Sequence, residues 1–308
     1  MTEQLIVDEL LVGDCYELLH TIPDESIDLI LTSPPYASAR SKAYESVVDI
    51  NVLGTHFERI LRQGGVLCWN IGDPVEGGNK TTISYQCVVR WTEDIPNPLY
   101  LHDHYALLKD PMPGNSSQRS RPGWEHMYVY KKGKDKIVFN NDHTRVRFIN
   151  SFKKGVTSRI RQQNGDLVEF TRDQSNNIWG KDPGNYLYYP LGSAHTTQDD
   201  YAYDHPALMA EAIAEDFILS YTNPGMVVLD PFNGAGTTTK MAYRHERRYV
   251  GIELERRFKN IAQKRIDDTT PLLFEPKPLY TEEEMADGAD DYNEISFPKS
   301  EKLSNGDN

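Results

Sequence analysis

Residues 227–255 read VVLDPFNGAGTTTKMAYRHERRYVGIELE. A short apolar run, VVLD, is followed by a glycine-containing turn, the start of a helix and a second apolar strand, RRYVGIELE. Strand, helix, strand is the unit of a parallel sheet, because parallel neighbours need a crossover element between them. Gly234 and Gly236 let the backbone approach a ligand closely, and the helix that begins after them offers unpaired N–H groups. Glu253, at the end of the second strand, lies where acids take the two ribose hydroxyls in dinucleotide-binding folds. The spacing departs from G-x-G-x-x-G: Asp230, Pro231, Phe232 and Asn233 precede the glycine pair, and Thr237 and Thr238 follow it. An ordinary strand-to-helix loop is the structural alternative, and the acid at the next strand end weighs against it.

The chemistry of the turn narrows its ligand. A buried phosphate calls for Lys or Arg, and neither occurs between Asp230 and Thr239. The spacing therefore predicts a nucleoside without phosphates. S-adenosylmethionine meets that description, with an adenine, a ribose diol, an amino-acid end and a sulfonium cation that an acidic pocket tolerates.

The same grammar extends outward. AEAIAEDFILSYT (210–222) and RFKNIAQKRIDD (257–268) have helical spacing, and LIVDELLVGDCYELLHTIPDESIDLILTSPPY (5–36) reads as strand, helix and buried strand. The apolar spacing from Val47 to Leu61 predicts a helix that stops at Gly64-Gly65, before a strand in GVLCWNIGDP. Both ends of the chain are thus α/β. Residues 110–200, rich in Lys, Arg, Asn, Gly and Tyr, lack sustained helical spacing and read as an irregular, strand-containing insertion. The expected organisation is 1–109, the insertion 110–200, a second α/β part 201–274, and an acidic, Pro-punctuated tail 275–308.

Charge follows this division. The chain of 308 residues has a net charge of −13, yet residues 109–181 hold 15 basic and 7 acidic side chains. Within this basic island RSRPGWEHMYVYKKGKDK, RVRFINSFKKG and SRIRQQ alternate basic residues with aromatics, a composition suited to phosphate contact and stacking on exposed bases. Arg40, Lys131, Lys132, Arg145, Arg147, Lys153, Lys154, Arg159 and Arg161 are the candidate contacts; Arg40, with Tyr44, could equally be solvated. No run of about 20 apolar residues marks a membrane span. The start, MTEQLIVDEL, lacks the basic and apolar parts of a signal peptide, so the expected location is the cytoplasm. Cys15, Cys68 and Cys87 are too scattered for a metal site or disulfide framework, and His102 and His104 have no third ligand in view; no metal is expected.

The strand IDLILT ends in Ser33-Pro34-Pro35-Tyr36. Two prolines stop any regular element and leave rigid carbonyls at a strand end. TSPPY followed in chain order by DPFNGAGTT resembles the DNA amino-methyltransferase family in its permuted arrangement, with the catalytic motif ahead of the cofactor motif. The resemblance extends through GDC (13–15), GGVLCWNIGD (64–73), WEHMYVYKKG (124–133), DHPALMAEAIAEDFI (204–218) and GIELE to about Asp267.

That resemblance implies a Rossmann-like methyltransferase fold, S-adenosylmethionine as methyl donor and double-stranded DNA as partner, the basic insertion serving target recognition. It also admits a cognate restriction endonuclease on the same site, and a monomer or weak dimer. The exocyclic amine of cytosine or adenine is a poor nucleophile that must be aimed at the methyl group. The Pro34 carbonyl and the Ser33 side chain would each accept one amine N–H, Pro35 would fix Pro34, and Tyr36 would give the extruded base a flat face. Asp14 is implied near the adenine, with Cys15 also among the cofactor-binding residues, Asp230 and Phe232 around the adenosine and methionine, and His205-Pro206 near the methionine end; Asp14 could instead cap the helix that follows it, and His205 could be a helix-start residue. Ser before PPY is typical of N4-cytosine enzymes and Asp of N6-adenine enzymes, which makes cytosine N4 the expected target and adenine N6 the alternative. C5 methylation needs a Cys nucleophile in a setting this sequence does not offer. A non-catalytic nucleic-acid or S-adenosylmethionine-binding protein and an RNA methyltransferase are the remaining alternatives.

Overall fold

The structure is a computed structural model that describes residues 5–35, 48–110, 119–120, 122–141, 143, 157–161, 167–171, 184–190 and 195–272. Tyr36, Arg40, Arg145, Arg147, Lys153 and Lys154 lie outside the described residues.

The chain opens with β1 (Glu9–Val12), α1 (Cys15–Leu19), β2 (Ile27–Thr32) and α2 (Ile50–Ile60), then β3 (Leu61–Ile71) and a small hairpin, β4 (Val75–Glu76) with β5 (Asn79–Lys80). Next come α3 (Ile83–Val89), a π-helical turn (Arg90–Asp94), β6 (Tyr100–Asp110), β7 (Trp124–Lys131), β8 (Thr157–Arg161), β9 (Leu167–Thr171) and β10 (Tyr186–Pro190). A 3-10 turn (Asp200–Asp204) leads into α4 (Glu211–Tyr221), β11 (Val227–Asp230), α5 (Thr237–Arg244), β12 (Arg248–Glu253) and α6 (Arg256–Asp267).

Two compact units are present. The larger comprises 1–141 and 183–275, and the smaller 142–182 and 276–308. In the smaller unit β8 pairs antiparallel with β9, Arg159 opposite Glu169 and Arg161 opposite Leu167. In the larger, eight strands form one sheet in the order β1-β12-β11-β2-β3-β7-β6-β10. Strands from β1 to β3 are mutually parallel, β7 runs antiparallel to both neighbours, and β10 is parallel to β6. The insertion is thus narrower than 110–200. The stretch WEHMYVYK is strand β7, inside the sheet, where Met127 to Tyr130 are buried on both faces.

Alternation along each strand splits the core. Leu67 and Trp69 of β3, Tyr128 and Tyr130 of β7 and Leu229 of β11 pack with Leu19, Leu53, Phe57 and Trp91 on one face. Val66, Cys68, Met127, Val129 and Val228 pack with Ile213, Phe217, Met241, Ala262 and Ile266 on the other. The sheet is covered on both sides, as parallel sheets require.

Two boundaries differ from the sequence reading. Helix α2 begins at Ile50, capped by Asp49, whose Oδ1 accepts from the amides of Asn51 (2.9 Å) and Val52 (3.3 Å). It ends at Ile60, and β3 starts before the glycine pair, not after it. Gly64 has φ +74°, and a Cβ there would stand 2.8 Å from the carbonyl oxygen of Lys136. The glycines therefore let β3 pass close under the chain that leaves β7, instead of stopping a helix.

Candidate active site

The path of the chain reverses between β11 and β2. From β11 it runs through α5 to β12 on one side; from β2 it runs through α2 to β3 on the other. Open parallel sheets bind ligands at such a switch point, in the crevice beyond the carboxyl ends of the strands. Both sequence motifs end there. Leu229 pairs with Ile30, so Asp230 stands beside the last residues of β2, and Thr32 Oγ1 donates to Asp230 Oδ1 at 2.6 Å. Thr238 Oγ1 donates to the Leu31 carbonyl at 3.3 Å, a second tie between the two motifs. Ser33, Pro34 and Pro35 follow directly, Pro34 buried and its neighbours half-buried.

The glycine turn is built from both strands beside it. Phe232 N donates to Asp230 Oδ1 (3.0 Å), Asn233 N to the Ile252 carbonyl (2.9 Å) and Gly236 N to the Asn233 carbonyl (2.7 Å). Gly234 and Gly236 have φ of +51° and +81°, the left-handed region that favours glycine. A Cβ on Gly236 would meet Ala262 Cβ at 2.5 Å, and one on Gly234 would meet His205 Nε2 at 2.9 Å. His205 therefore lies on the turn itself, its ring edge-on to Phe258 with centroids 4.4 Å apart. Phe232 reaches across to β3, its ring T-shaped to Trp69 at 6.4 Å. Thr237 begins α5, and its hydroxyl faces the Met209 carbonyl at 3.3 Å.

Glu253 closes the far wall. Its Oε2 accepts from Gly234 N at 2.8 Å and its Oε1 from Glu255 N at 2.9 Å. Burial pushes its carboxyl above the usual range, partly opposed by those backbone donors. Val12 of β1 pairs with Glu253, and Gly13 N donates to the Glu253 carbonyl at 3.0 Å, which brings Asp14 and Cys15 to the same edge. Asp14 is exposed and caps α1, Oδ1 accepting from Tyr16 N at 2.8 Å. Burial pushes the Cys15 thiol up to about 12, so it stays protonated near neutral pH. Burial likewise pushes Asp230 up to about 6, with Thr32, Thr238 and the Phe232 amide opposing the rise.

The turn fits a nucleoside bearing a cation. Gly234 and Gly236 give the turn its left-handed bends where His205 and Ala262 leave no room for a side chain, an acid stands at the next strand end, and Asn233 Nδ2 is buried with no partner among the described residues. Lys240 and Arg265 are bonded to Asp199 and Glu211 on the α6 side of the turn.

The basic candidates fare differently. Lys132 is only 7% exposed; its Nζ lies 3.3 Å from Glu25 and 3.4 Å from Glu58 and donates to the Arg59 carbonyl. Its charge is neutralised within the fold, which corrects its reading as a phosphate contact. Lys131 donates to the Asp135 carbonyl at 3.3 Å and keeps partial exposure. Arg159 and Arg161 lie on β8.

Sequence reasoning missed Thr32 and Arg265. Arg265 carried a signal: it falls seven residues after Phe258 and three after Ala262, on the buried stripe of α6, where a charged side chain calls for partners.

A Rossmann-like sheet with a Ser-Pro-Pro strand end and a glycine turn meeting at its switch point fits an amino-methyltransferase. A sequence profile of the DNA methylase family, which unites N6 and N4 enzymes, matches residues 27–264, and the chain belongs to that family. It is 33% identical over 255 residues to the orphan methyltransferase M.BamHII of Bacillus amyloliquefaciens, covering 83% of this chain and 90% of that one. Among solved structures, the PvuII DNA methyltransferase (cytosine-N4-specific) shares the fold with a TM-score of 0.60 at 18% identity, over 91% of this chain and 90% of that one. A putative DNA modification methylase of Thermus thermophilus, solved with S-adenosyl-L-methionine, has a TM-score of 0.55 at 20% identity, over 86% and 99% of the two chains. S-adenosylmethionine is the methyl donor of this family. Among the described residues no helix is long and apolar enough to cross a membrane.

Proposed function

We propose that the chain methylates the exocyclic N4 amine of cytosine at a specific site in duplex DNA, by direct transfer to a flipped-out base. The observation that carries the reading is the Thr32–Asp230 hydrogen bond of 2.6 Å, because it ties the strand end bearing Ser33-Pro34 to the strand end bearing the glycine turn. A base on the one and a nucleoside on the other are then neighbours.

S-adenosylmethionine, when bound, supplies an electrophilic methyl group on a sulfonium. Glu253 would take the ribose hydroxyls, Gly234 and Gly236 would give the turn the left-handed bends that shape it, and Phe232 and His205 would wall the nucleoside and the methionine end. Asp14 and Cys15 would border the adenine. The Pro34 carbonyl would accept one N–H of the amine and Ser33 the other, aiming the nitrogen at the methyl group and stabilising the positive charge it acquires; Pro35 would hold Pro34, and Tyr36 would serve as the flat face for the base. As the nitrogen–methyl bond forms, the methyl–sulfur bond would break with its electron pair left on sulfur, and the methylated amine would release one of its own protons to solvent. No covalent bond to the base is needed, and the buried thiols are not poised to make one: burial pushes Cys87 up to about 12 and Cys68 well above its usual value.

Ser33 supports cytosine over adenine, since a neutral acceptor stands where N6 enzymes of the family typically carry Asp. Adenine N6 is the second reading, because either amine offers two N–H groups to the same acceptors. We assign double-stranded DNA contact to the basic region, a cytoplasmic location and a monomer or weak dimer, with a restriction endonuclease on the same site as an optional partner. Mass spectrometry of digested product DNA tests the proposal. N4-methylcytosine is expected, N6-methyladenine selects the second reading, and 5-methylcytosine overturns the mechanism.

A further inference from the structure

On the α6 side of the glycine turn, Arg265 is fully buried. Its Nε donates to Asp199 Oδ2 (2.7 Å). One terminal nitrogen donates to the Ala235 carbonyl (3.0 Å) and Thr237 Oγ1 (3.1 Å), the other to Thr197 Oγ1 (3.2 Å) and Glu211 Oε1 (2.5 Å). An arginine has five N–H donors, and here each has an acceptor. Lys240 Nζ, at 2.7 Å from both Asp199 Oδ2 and Glu211 Oε1, completes a cluster of two cations and two anions. Burial alone would raise Asp199; the hydrogen bonds and charges of Lys240 and Arg265 hold it below its usual value instead, so it stays ionised.

Such a cluster is a weak source of net stability, because desolvation offsets most of the attraction between buried charges. What it supplies is position. Ala235 and Thr237 flank Gly236, the residue whose left-handed backbone closes the turn, and Arg265 is the group that fixes both. The segment holding Arg265 in place, Thr197 to Glu211, also carries His205, which lies on Gly234. One stretch of chain therefore grips the turn twice.

We propose that Arg265 is a positioning residue for S-adenosylmethionine binding: its guanidinium, oriented by Asp199 and Glu211, holds Ala235 and Thr237 so that the turn keeps the shape that receives the nucleoside. The proposal rests on the reading of that turn as the cofactor site. Lysine cannot replace the fork, since a single ammonium cannot serve acceptors spread around a plane.

The test uses the full chain with Arg265→Lys, Asp199→Asn and, in parallel, Glu253→Gln. S-adenosylmethionine affinity is measured by calorimetry, duplex affinity by anisotropy and folding by denaturant titration. Arg265→Lys should weaken S-adenosylmethionine about tenfold and raise its KM equally, with kcat at saturation within about twofold and duplex affinity unchanged, the signature of lost ground-state positioning. Asp199→Asn, which keeps the shape and removes one charge, should move the same constants in the same direction by about threefold. A purely structural arginine would instead lower the unfolding midpoint and the active fraction while leaving the cofactor affinity of folded protein unchanged. That result in Arg265→Lys, or in Asp199→Asn should Arg265→Lys fail to fold, overturns the proposal. If Glu253→Gln weakens the cofactor and the other two variants do not, this inference alone fails. If none of the three does, the cofactor reading of the turn fails with it.

Discussion

Thr32 Oγ1 and Asp230 Oδ1 lie 2.6 Å apart, buried, although 198 residues separate them in sequence. The bond joins the strand that leads to Ser33-Pro34 with the strand that leads to the glycine turn. Thr32→Val keeps the shape and leaves a buried carboxylate oxygen with one donor fewer. Unfolding free energy should fall by about 1–3 kcal/mol, the cost of an unmet buried acceptor. Methyl transfer should fall further than stability accounts for, because the relative placement of the two motifs is lost. Denaturant unfolding alongside single-turnover rates checks both; an unchanged rate in a destabilised protein would reduce the bond to a structural one.

Asp230 sets a pH dependence with a definite sign. Its carboxyl is raised by burial from 3.8 to about 6, so between those values the folded protein binds a proton that the unfolded chain has lost. Its contribution makes stability fall as pH rises through that window, by on the order of 3 kcal/mol across it. Asp230→Asn, whose side-chain oxygen can still accept from Thr32 and Phe232, should flatten the profile between about pH 4 and about pH 6 and gain stability at about pH 7.5 relative to the parent. Unfolding free energies measured at stepped pH check it, and parallel profiles for the two proteins would contradict it.

Glu253→Ala should weaken S-adenosylmethionine binding by about 1.5–3 kcal/mol, the scale of hydrogen bonds to a charged group. Duplex binding should change little. Calorimetry decides, and an unchanged cofactor affinity would move the ribose contact elsewhere.

Gly251 shows how tightly the wall behind the turn is packed. A Cβ there would stand 2.7 Å from Leu10 Cδ2 and 2.8 Å from Asn233 Cγ. Gly251→Ala should cost about 1–3 kcal/mol of stability, as overpacking does. It should also weaken S-adenosylmethionine, since Asn233 is part of the turn. Thermal unfolding with and without the cofactor tests this; a variant as stable and as tight-binding as the parent would mean the wall yields freely.

Two lysine sets should separate by salt. Neutralising Lys153 and Lys154 should reduce the slope of log affinity for duplex against log salt by about 1–2, one unit or so per phosphate contact. Lys132→Ala should leave the slope unchanged and destabilise the fold, because its ammonium sits between Glu25 and Glu58. Anisotropy across a salt series measures the first and denaturant titration the second.

The sequence made the alternating elements and their motifs readable because both are local: periodicity along a strand or helix, and residue types a few positions apart. DPFNGAGTT and the acid at Glu253 are of this kind, and the structure brings them to one edge. What could not be read depends on pairings across the sheet. WEHMYVYKKG has a strand's composition, but its place between β3 and β6 is decided by register with Ile71 and Trp69, not by its own pattern. The Gly64-Gly65 pair misled for a similar reason, since a turn and a close passage under Lys136 call for the same residue. Lys132 belonged to a basic run and was counted with it; its partners Glu25 and Glu58 are remote in sequence and close only after folding.

All three cysteines are buried and unbridged, and each sits in a different part of the larger unit: Cys15 at the rim beside Glu253, Cys68 in the middle of β3, Cys87 in α3. Cys68 and Cys87 have no exposed surface and Cys15 is 8% exposed, so labelling rates under native conditions become local clocks. If opening free energies are graded through the molecule, Cys15 should label first, and S-adenosylmethionine should slow it. Cys68 should label only as fast as the whole sheet comes apart. The protein thus carries built-in reporters that can tell the breathing of its ligand edge from the unfolding of its core.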